Sequence, residues 1–399
     1  MRWSAVAVLA GCLLPLYAAS PAHAAPRAPA NCRPPAGAMS AQALAQGGVP
    51  WAQQSLNIEA AHGKATGKGV KVAVVDSGVS TANPQLAGQV VKGADVTKTG
   101  PEDCLGHGTY VAGIIAAKAG ISSFVGVAPG AQIIPIKFAA QAQNIDSGLA
   151  AKGIDEAVKL GADVINVSTQ SIGDDPRLRQ AVQNANAKGV VVVAAAGNID
   201  RQNGKVPGLM FPSAYQNEGV ISVGAVGQDG KITEFSNPNT PVSVVAPGND
   251  IVTTAPDGNY AVQKGTSFAT PFVAGLAALI LEAYPDATPA EVKQRIEGTA
   301  AGNKGAGSGA GMINPFEALT AVSAGPGAGG VAGPSGPVSI AVPDEPDSTT
   351  RAVALGVAGG TVGAAVLVLA GGLLIPAGRR RGWRAGPVQP SGGNSGESA

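Results

Sequence analysis

Along this chain, short runs of unbroken apolar residues alternate with longer stretches whose apolar positions recur at helical spacing. Val70–Val75, Ile133–Phe138, Asp163–Ser168, Val190–Ala196, Val220–Val226 and Val242–Ala246 are rich in valine and isoleucine. Because these runs are continuous and not alternating, they predict strands buried on both faces, as in a parallel sheet. His107–Lys118, Gly148–Leu160 and Pro176–Lys188 fit helices between them. That order predicts an α/β architecture, a mainly parallel sheet with helices on both faces. Ser267–Tyr284 is apolar almost all round and predicts a helix through the core. Just after it, Thr288-Pro289-Ala290-Glu291 supplies a capping box with proline at the first helical position.

The two ends break this pattern. Met1-Arg2, an apolar stretch over Ala5–Ala19 and Ala22-His23-Ala24 before Ala25 form a charged start, an apolar core and an A-x-A cleavage site. Residues 1–24 therefore read as a secretory signal peptide. Leu9-Ala10-Gly11-Cys12 has the form of a lipidation box, but it comes too early, with the apolar core continuing beyond it. At the other end, Ala352–Ile375 is 24 residues without a charge. As a helix this is about 36 Å long, enough for a hydrocarbon core of about 30 Å. Arg379, Arg380, Arg381 and Arg384 follow it and place the tail, 376–399, on the cytoplasmic side, with everything between signal peptide and span outside. Residues 323–351, dense in Pro, Gly and Ser, read as a linker. The expected layout is signal peptide 1–24, extension 25–50, one large domain 51–322, linker 323–351, transmembrane helix 352–375 and tail.

A net charge of +1, 13% charged residues and 4% aromatics in 399 residues argue against a nucleic-acid partner, which calls for a basic face with aromatic interleaving. Signal removal takes Cys12 and leaves Cys32 and Cys104. In an oxidising compartment two thiols suggest one disulfide, worth about 4 kcal/mol by loop closure; free thiols or a metal pair are the alternatives.

Candidate chemistry centres on histidine. Of three, His23 lies in the leader and His62 in the polar, glycine-rich Ala61–Gly67, where it reads as a solvated loop residue. His107, in Gly106-His107-Gly108-Thr109, is left as the base candidate. Val74-Val75-Asp76-Ser77-Gly78 ends a predicted strand, and Gly265-Thr266-Ser267-Phe268-Ala269-Thr270-Pro271 opens the core helix. A serine hydroxyl is a poor nucleophile until an imidazole takes its proton, and the imidazole works best when a carboxylate fixes its tautomer. A fourth segment, Ala194-Ala195-Ala196-Gly197-Asn198, ends another strand. The steps are 31 residues from Asp76 to His107, 91 to Asn198 and 69 to Ser267.

In that order and spacing, these motifs resemble the subtilisin-like serine proteases over about Trp51–Val322. The resemblance implies the three-layer subtilisin-like fold, with Asp76, His107 and Ser267 as catalytic triad and Asn198 as oxyanion donor. It implies a protein or peptide substrate lying extended as an added strand between Ser168-Thr169-Gln170 and Ala194–Gly197, so that Ser168, Thr169, Gln170, Ala196 and Gly197 line the cleft. Two positions depart from the pattern: Gln170 stands where the family often has glycine, and Phe272 where many members have histidine. No cofactor is implied, and although family members often bind calcium, the scattered acidic residues commend no metal site.

The layout, with Cys32 and Cys104, is similar to that of the mycosins, membrane-anchored subtilisins of type VII secretion. This implies a cell-membrane protein, single-pass, with its catalytic domain outside, a type VII secretion membrane complex as partner and exported proteins as substrates. A scaffold of that complex with dispensable catalysis, or a general surface protease, are the alternatives. Only 26 residues separate the cleavage site from Trp51, leaving no room for a long folding prodomain; a segment tied by Cys32 is expected to wrap the domain and stay.

Overall fold

The computed structural model describes residues 32–140, 146–199, 207–302 and 307–322. The expected signal peptide, the start of the extension, and the expected linker, transmembrane span and tail lie outside these residues. The chain divides into one compact unit ending at Ser323 and a second from Ala324, which holds none of the described residues.

Three short helices, α1 (Ala41–Gln46), α2 (Trp51–Ser55) and α3 (Ile58–His62), precede strand β1 (Lys71–Asp76). Then come β2 (Ala94–Asp95), α4 (His107–Ala116), β3 (Gln132–Lys137), α5 (Ser147–Lys159), β4 (Val164–Val167), β5 (Ser171–Ile172), α6 (Pro176–Ala187), β6 (Val191–Ala195), β7 (Met210–Phe211), β8 (Ile221–Val226) and β9 (Val244–Pro247). A hairpin of β10 (Ile251–Thr254) and β11 (Tyr260–Gln263) leads into α7 (Thr266–Ala283), and α8 (Pro289–Gly298) and α9 (Pro315–Thr320) complete the order.

Among the described residues the main sheet has seven strands, in order β2-β3-β1-β4-β6-β8-β9, and every pairing in it is parallel. The apolar runs show why it takes three layers. In β1, Val72 and Val74 enter one core cluster with Ile115 of α4 and Leu276 of α7, while Ala73 and Val75 enter another with Ile154 of α5 and Leu178 of α6. Successive side chains of a strand point to opposite faces, so a continuous apolar run needs helices on both. All six expected strands are present, their ends shifted by one or two residues, and the four expected helices with them. The α7 residues from Thr266 to Ile280 are buried; long and apolar enough to cross a bilayer, this helix is instead the core of the domain. Thr288 and Glu291 form the capping box expected of their spacing.

The extension is tied down along its described length. Cys32 and Cys104 form a disulfide with Cα atoms 5.0 Å apart. The Gly37 N–H donates to Asp257 Oδ2 at 3.0 Å, and Met39 bridges Tyr260 of β11 through two backbone hydrogen bonds. Leu44 of α1 is buried with Ala117, Phe124 and Tyr260. The extension therefore adds a strand-like contact and a small core of its own to the domain.

One sequence reading is corrected. His62 is not a solvated loop residue: it ends α3, is half-buried, and its Nε2 lies 2.9 Å from the Val127 carbonyl oxygen. Burial lowers its pKa, and the carbonyls of Val127 and Gly126 oppose the shift.

Candidate active site

The termini of β1, β4 and β6 and the starts of α4 and α7 meet at one end of the sheet, where open α/β folds place ligands. Asp76 is the last residue of β1 and fully buried; its Oδ1 accepts the Ser77 N–H at 2.8 Å. His107 opens α4, with Nδ1 2.8 and 2.9 Å from the two Asp76 oxygens and 27% of its side chain exposed. So close an approach needs Gly108: a Cβ there would stand 2.1 Å from the Gly78 carbonyl oxygen, so any side chain would push α4 off the β1 turn.

A second buried carboxylate supports this junction. Asp103 Oδ1 accepts the Ser77 hydroxyl at 2.7 Å and the Gly106 N–H at 2.8 Å, and Oδ2 accepts the Thr109 N–H at 2.9 Å and its hydroxyl at 2.6 Å. Ser77 Oγ in turn accepts the Gly108 N–H at 3.0 Å. The first N–H groups of a helix lack partners within it, and here Asp103 and Ser77 supply them in place of a capping side chain at Gly106. Burial lowers the His107 pKa, but the charge and hydrogen bond of Asp76, with the charge of Asp103, outweigh it and leave the imidazole raised above its ordinary value.

Ser267 is the second residue of α7 and 8% exposed. Its hydroxyl donates to the Ser168 carbonyl oxygen at 2.7 Å, so the proton must leave that carbonyl before His107 can take it. Asn198 lies beyond the end of β6, and its Oδ1 accepts both the N–H and the hydroxyl of Thr266, at 2.9 and 3.1 Å. A backbone N–H only donates, so this contact fixes the amide orientation and leaves Nδ2 as the outward donor. Thr266 Oγ1 also accepts the Gly197 N–H at 3.2 Å, and Thr266 is fully buried. Gly265, at φ 141°, makes the turn into α7 in a backbone region that L side chains avoid, with its missing Cβ 3.3 Å from Asn198 Nδ2. The Phe268 ring sits 5.2 Å from the imidazole.

The structure thus brings Asp76 and His107 into contact and Ser267 and Asn198 onto neighbouring segments. Of the expected cleft residues, Ser168, Thr169 and Gln170 follow β4, with the Ser168 hydroxyl accepting from Asn166 Nδ2 at 2.8 Å. Ala196 is buried, and Gly197 lies against the Met210 side chain. Sequence reasoning missed Asp103, Ser77 and Thr266. Thr266 had a signal, standing beside Ser267, whereas Asp103 shows its role only once the chain folds back on β1. Among the described residues no three His, Cys, Asp or Glu side chains converge to hold a metal.

Comparisons with known proteins point one way. The subtilase family model (peptidase S8) matches residues 67–317. An intracellular serine protease of Paenibacillus polymyxa is 40% identical over 238 residues, 58% of this chain and 72% of its own length. Subtilisin E of Bacillus subtilis is 38% identical over 256 residues, 63% of this chain and 66% of its own. Among solved structures, MycP1 from Mycobacterium smegmatis is similar at 30% identity and a TM-score of 0.65, with 74% of this chain and 90% of that one covered. The MycP3 protease from the type VII (ESX-3) secretion system is similar at 33% and 0.61, with 69% and 89% covered.

Proposed function

This chain belongs to the subtilase family of serine peptidases, and on that premise we propose that it is an endopeptidase working by acyl transfer through Ser267, His107 and Asp76. Ser267 Oγ attacks the peptide carbonyl carbon while His107 Nε2 takes its proton, then gives it to the leaving amine. Asp76 keeps the proton of the neutral ring on Nδ1 and stabilises the imidazolium that forms. Charge developing on the carbonyl oxygen meets Asn198 Nδ2 and the Ser267 N–H at the positive end of α7. Water then repeats the cycle on the acyl-enzyme. The observation that carries this reading is the contact of His107 Nδ1 with the buried Asp76 carboxylate, at 2.8 Å.

The substrate is a protein segment lying extended between Ser168–Gln170 and Ala196–Gly197. We assign the head to the outside of the cytoplasmic membrane, held by a span over 352–375, and its substrates to the proteins exported by a type VII secretion system. The similarity to MycP1 and MycP3 supports this assignment. A second reading, a structural part of the secretion complex, is favoured by two observations: Ser267 holds its proton on Ser168, and a similar MycP1 structure is described as an essential component of its type VII system.

A fluorophosphonate probe decides between them. On the full chain, labelling is expected at Ser267 and lost in Ser267→Ala. A folded wild-type protein that stays unlabelled would overturn the endopeptidase and favour the structural role.

A further inference from the structure

The Ser168 carbonyl is contested. Its oxygen accepts the Ser267 hydroxyl at 2.7 Å and, on the same atom, the carboxamide Nε2 of Gln170 at 2.9 Å. A carbonyl oxygen has two lone pairs, so these two donors saturate it. Nor is this carbonyl part of the sheet: the β4–β6 register ends at Val167 and Ala194, the β1–β4 register at Val74 and Asn166, and the next pairing starts at Ser171 with Phe211. Ser168 to Gln170 therefore forms a gap in the ladder, where an extended peptide finds unpaired backbone to join.

Resting on the peptidase reading above, we propose that Gln170 is a latch on substrate binding: its carboxamide occupies the backbone acceptor that an incoming peptide N–H requires, so a peptide must displace it to be bound productively. The exchange forms one hydrogen bond and breaks one, with no covalent step. Half-buried Gln170 has solvent to turn into; the glycine that family members often carry here would hold nothing across the carbonyl.

Gln170→Met keeps the bulk and removes the donor; Gln170→Gly removes both. A fluorescein-labelled, sequence-degenerate hexapeptide pool is titrated by anisotropy with three full-length proteins that keep the Ser267 hydroxyl on Ser168 but lack the base: His107→Ala alone, His107→Ala with Gln170→Met, and His107→Ala with Gln170→Gly. Loss of one competing hydrogen bond predicts a midpoint about three- to ten-fold lower in both double variants. In the catalytically intact background the same substitutions lower KM for cleavage of the pool by a similar factor and leave kcat within about two-fold. An unchanged midpoint in Gln170→Met overturns the latch, and a fall confined to Gln170→Gly reduces Gln170 to a steric wall. Because the His107→Ala titration does not depend on turnover, a lower midpoint there upholds the latch even where fluorophosphonate labelling fails and the peptidase reading falls.

Discussion

Thr266 is connected on both sides of its side chain, donating to Asn198 Oδ1 at 3.1 Å and accepting the Gly197 N–H at 3.2 Å. Its backbone N–H holds the same Asn198 oxygen, so the residue beside the nucleophile also aims the amide opposite it. Thr266→Val keeps the shape and the backbone bond but loses the hydroxyl. We expect kcat to fall about ten-fold with KM nearly unchanged, since a preset donor to the oxyanion acts in the transition state and not in substrate binding. Steady-state kinetics on one peptide check this; a rise in KM at constant kcat would show that the hydroxyl serves only the cleft wall. As candidates, Asp76, His107, Asn198 and Ser267 were legible in the sequence because each sits in a short local motif. The partners that aim them were less so: Thr266 looks like one more small residue of a motif until Asn198, 68 positions away, is folded against it.

At the scale of elements, the N-terminus of α4 decides the pH behaviour of the site. Its first free N–H groups bond to Asp103 and Ser77, and the charged groups facing the imidazole there are Asp76 and, behind it, Asp103. In the proposed role of base His107 must be neutral, so kcat/KM is expected to fall as pH drops through its raised pKa, with the acid limb above the ordinary histidine value of about 6.5. Asp103→Asn removes one of the two negative charges, and the limb should move to lower pH. It also presents an amide to donors that need an acceptor, with a stability cost of about 2 kcal/mol. A pH–rate profile beside a thermal melt separates the two effects; a melt that drops while the limb stays in place would leave Asp103 as a cap and nothing more. Elements such as α4 and β1 were legible because their burial shows in unbroken apolar runs. That the extension lies on the domain was expected from Cys32, but the β10–β11 hairpin and its pairing with Met39 were not, because Met39 meets Tyr260 across most of the domain's length and nothing local in Pro-Ala-rich sequence records that partner.

For the whole molecule, the question is what holds the catalytic unit at its place of work. The unit ends near Val322 with Arg295 donating to the carbonyl of Ala321 at 3.0 Å, so its last described turn is closed by its own side chains. A flexible linker of the length and Pro-, Gly- and Ser-rich composition of 323–351 would have a mean reach of about 30 Å, so on the anchoring we propose a span over 352–375 would keep the cleft within about that distance of the bilayer. Four arginines after that span favour a cytoplasmic tail. The full chain should therefore sediment with membranes and resist alkaline carbonate, while a chain stopped after Val322 should be released as a folded, soluble unit labelled by fluorophosphonate at the same rate. In intact cells, added protease should remove the head and spare an epitope at the C-terminus. A head protected with an exposed tail would reverse the orientation, and release of the full chain by carbonate would remove the anchor. Either result would leave the chemistry of the cleft in place but separate it from a secretion complex in the membrane, because a latch opened by arriving peptide is useful there only if the cleft stays where exported chains emerge.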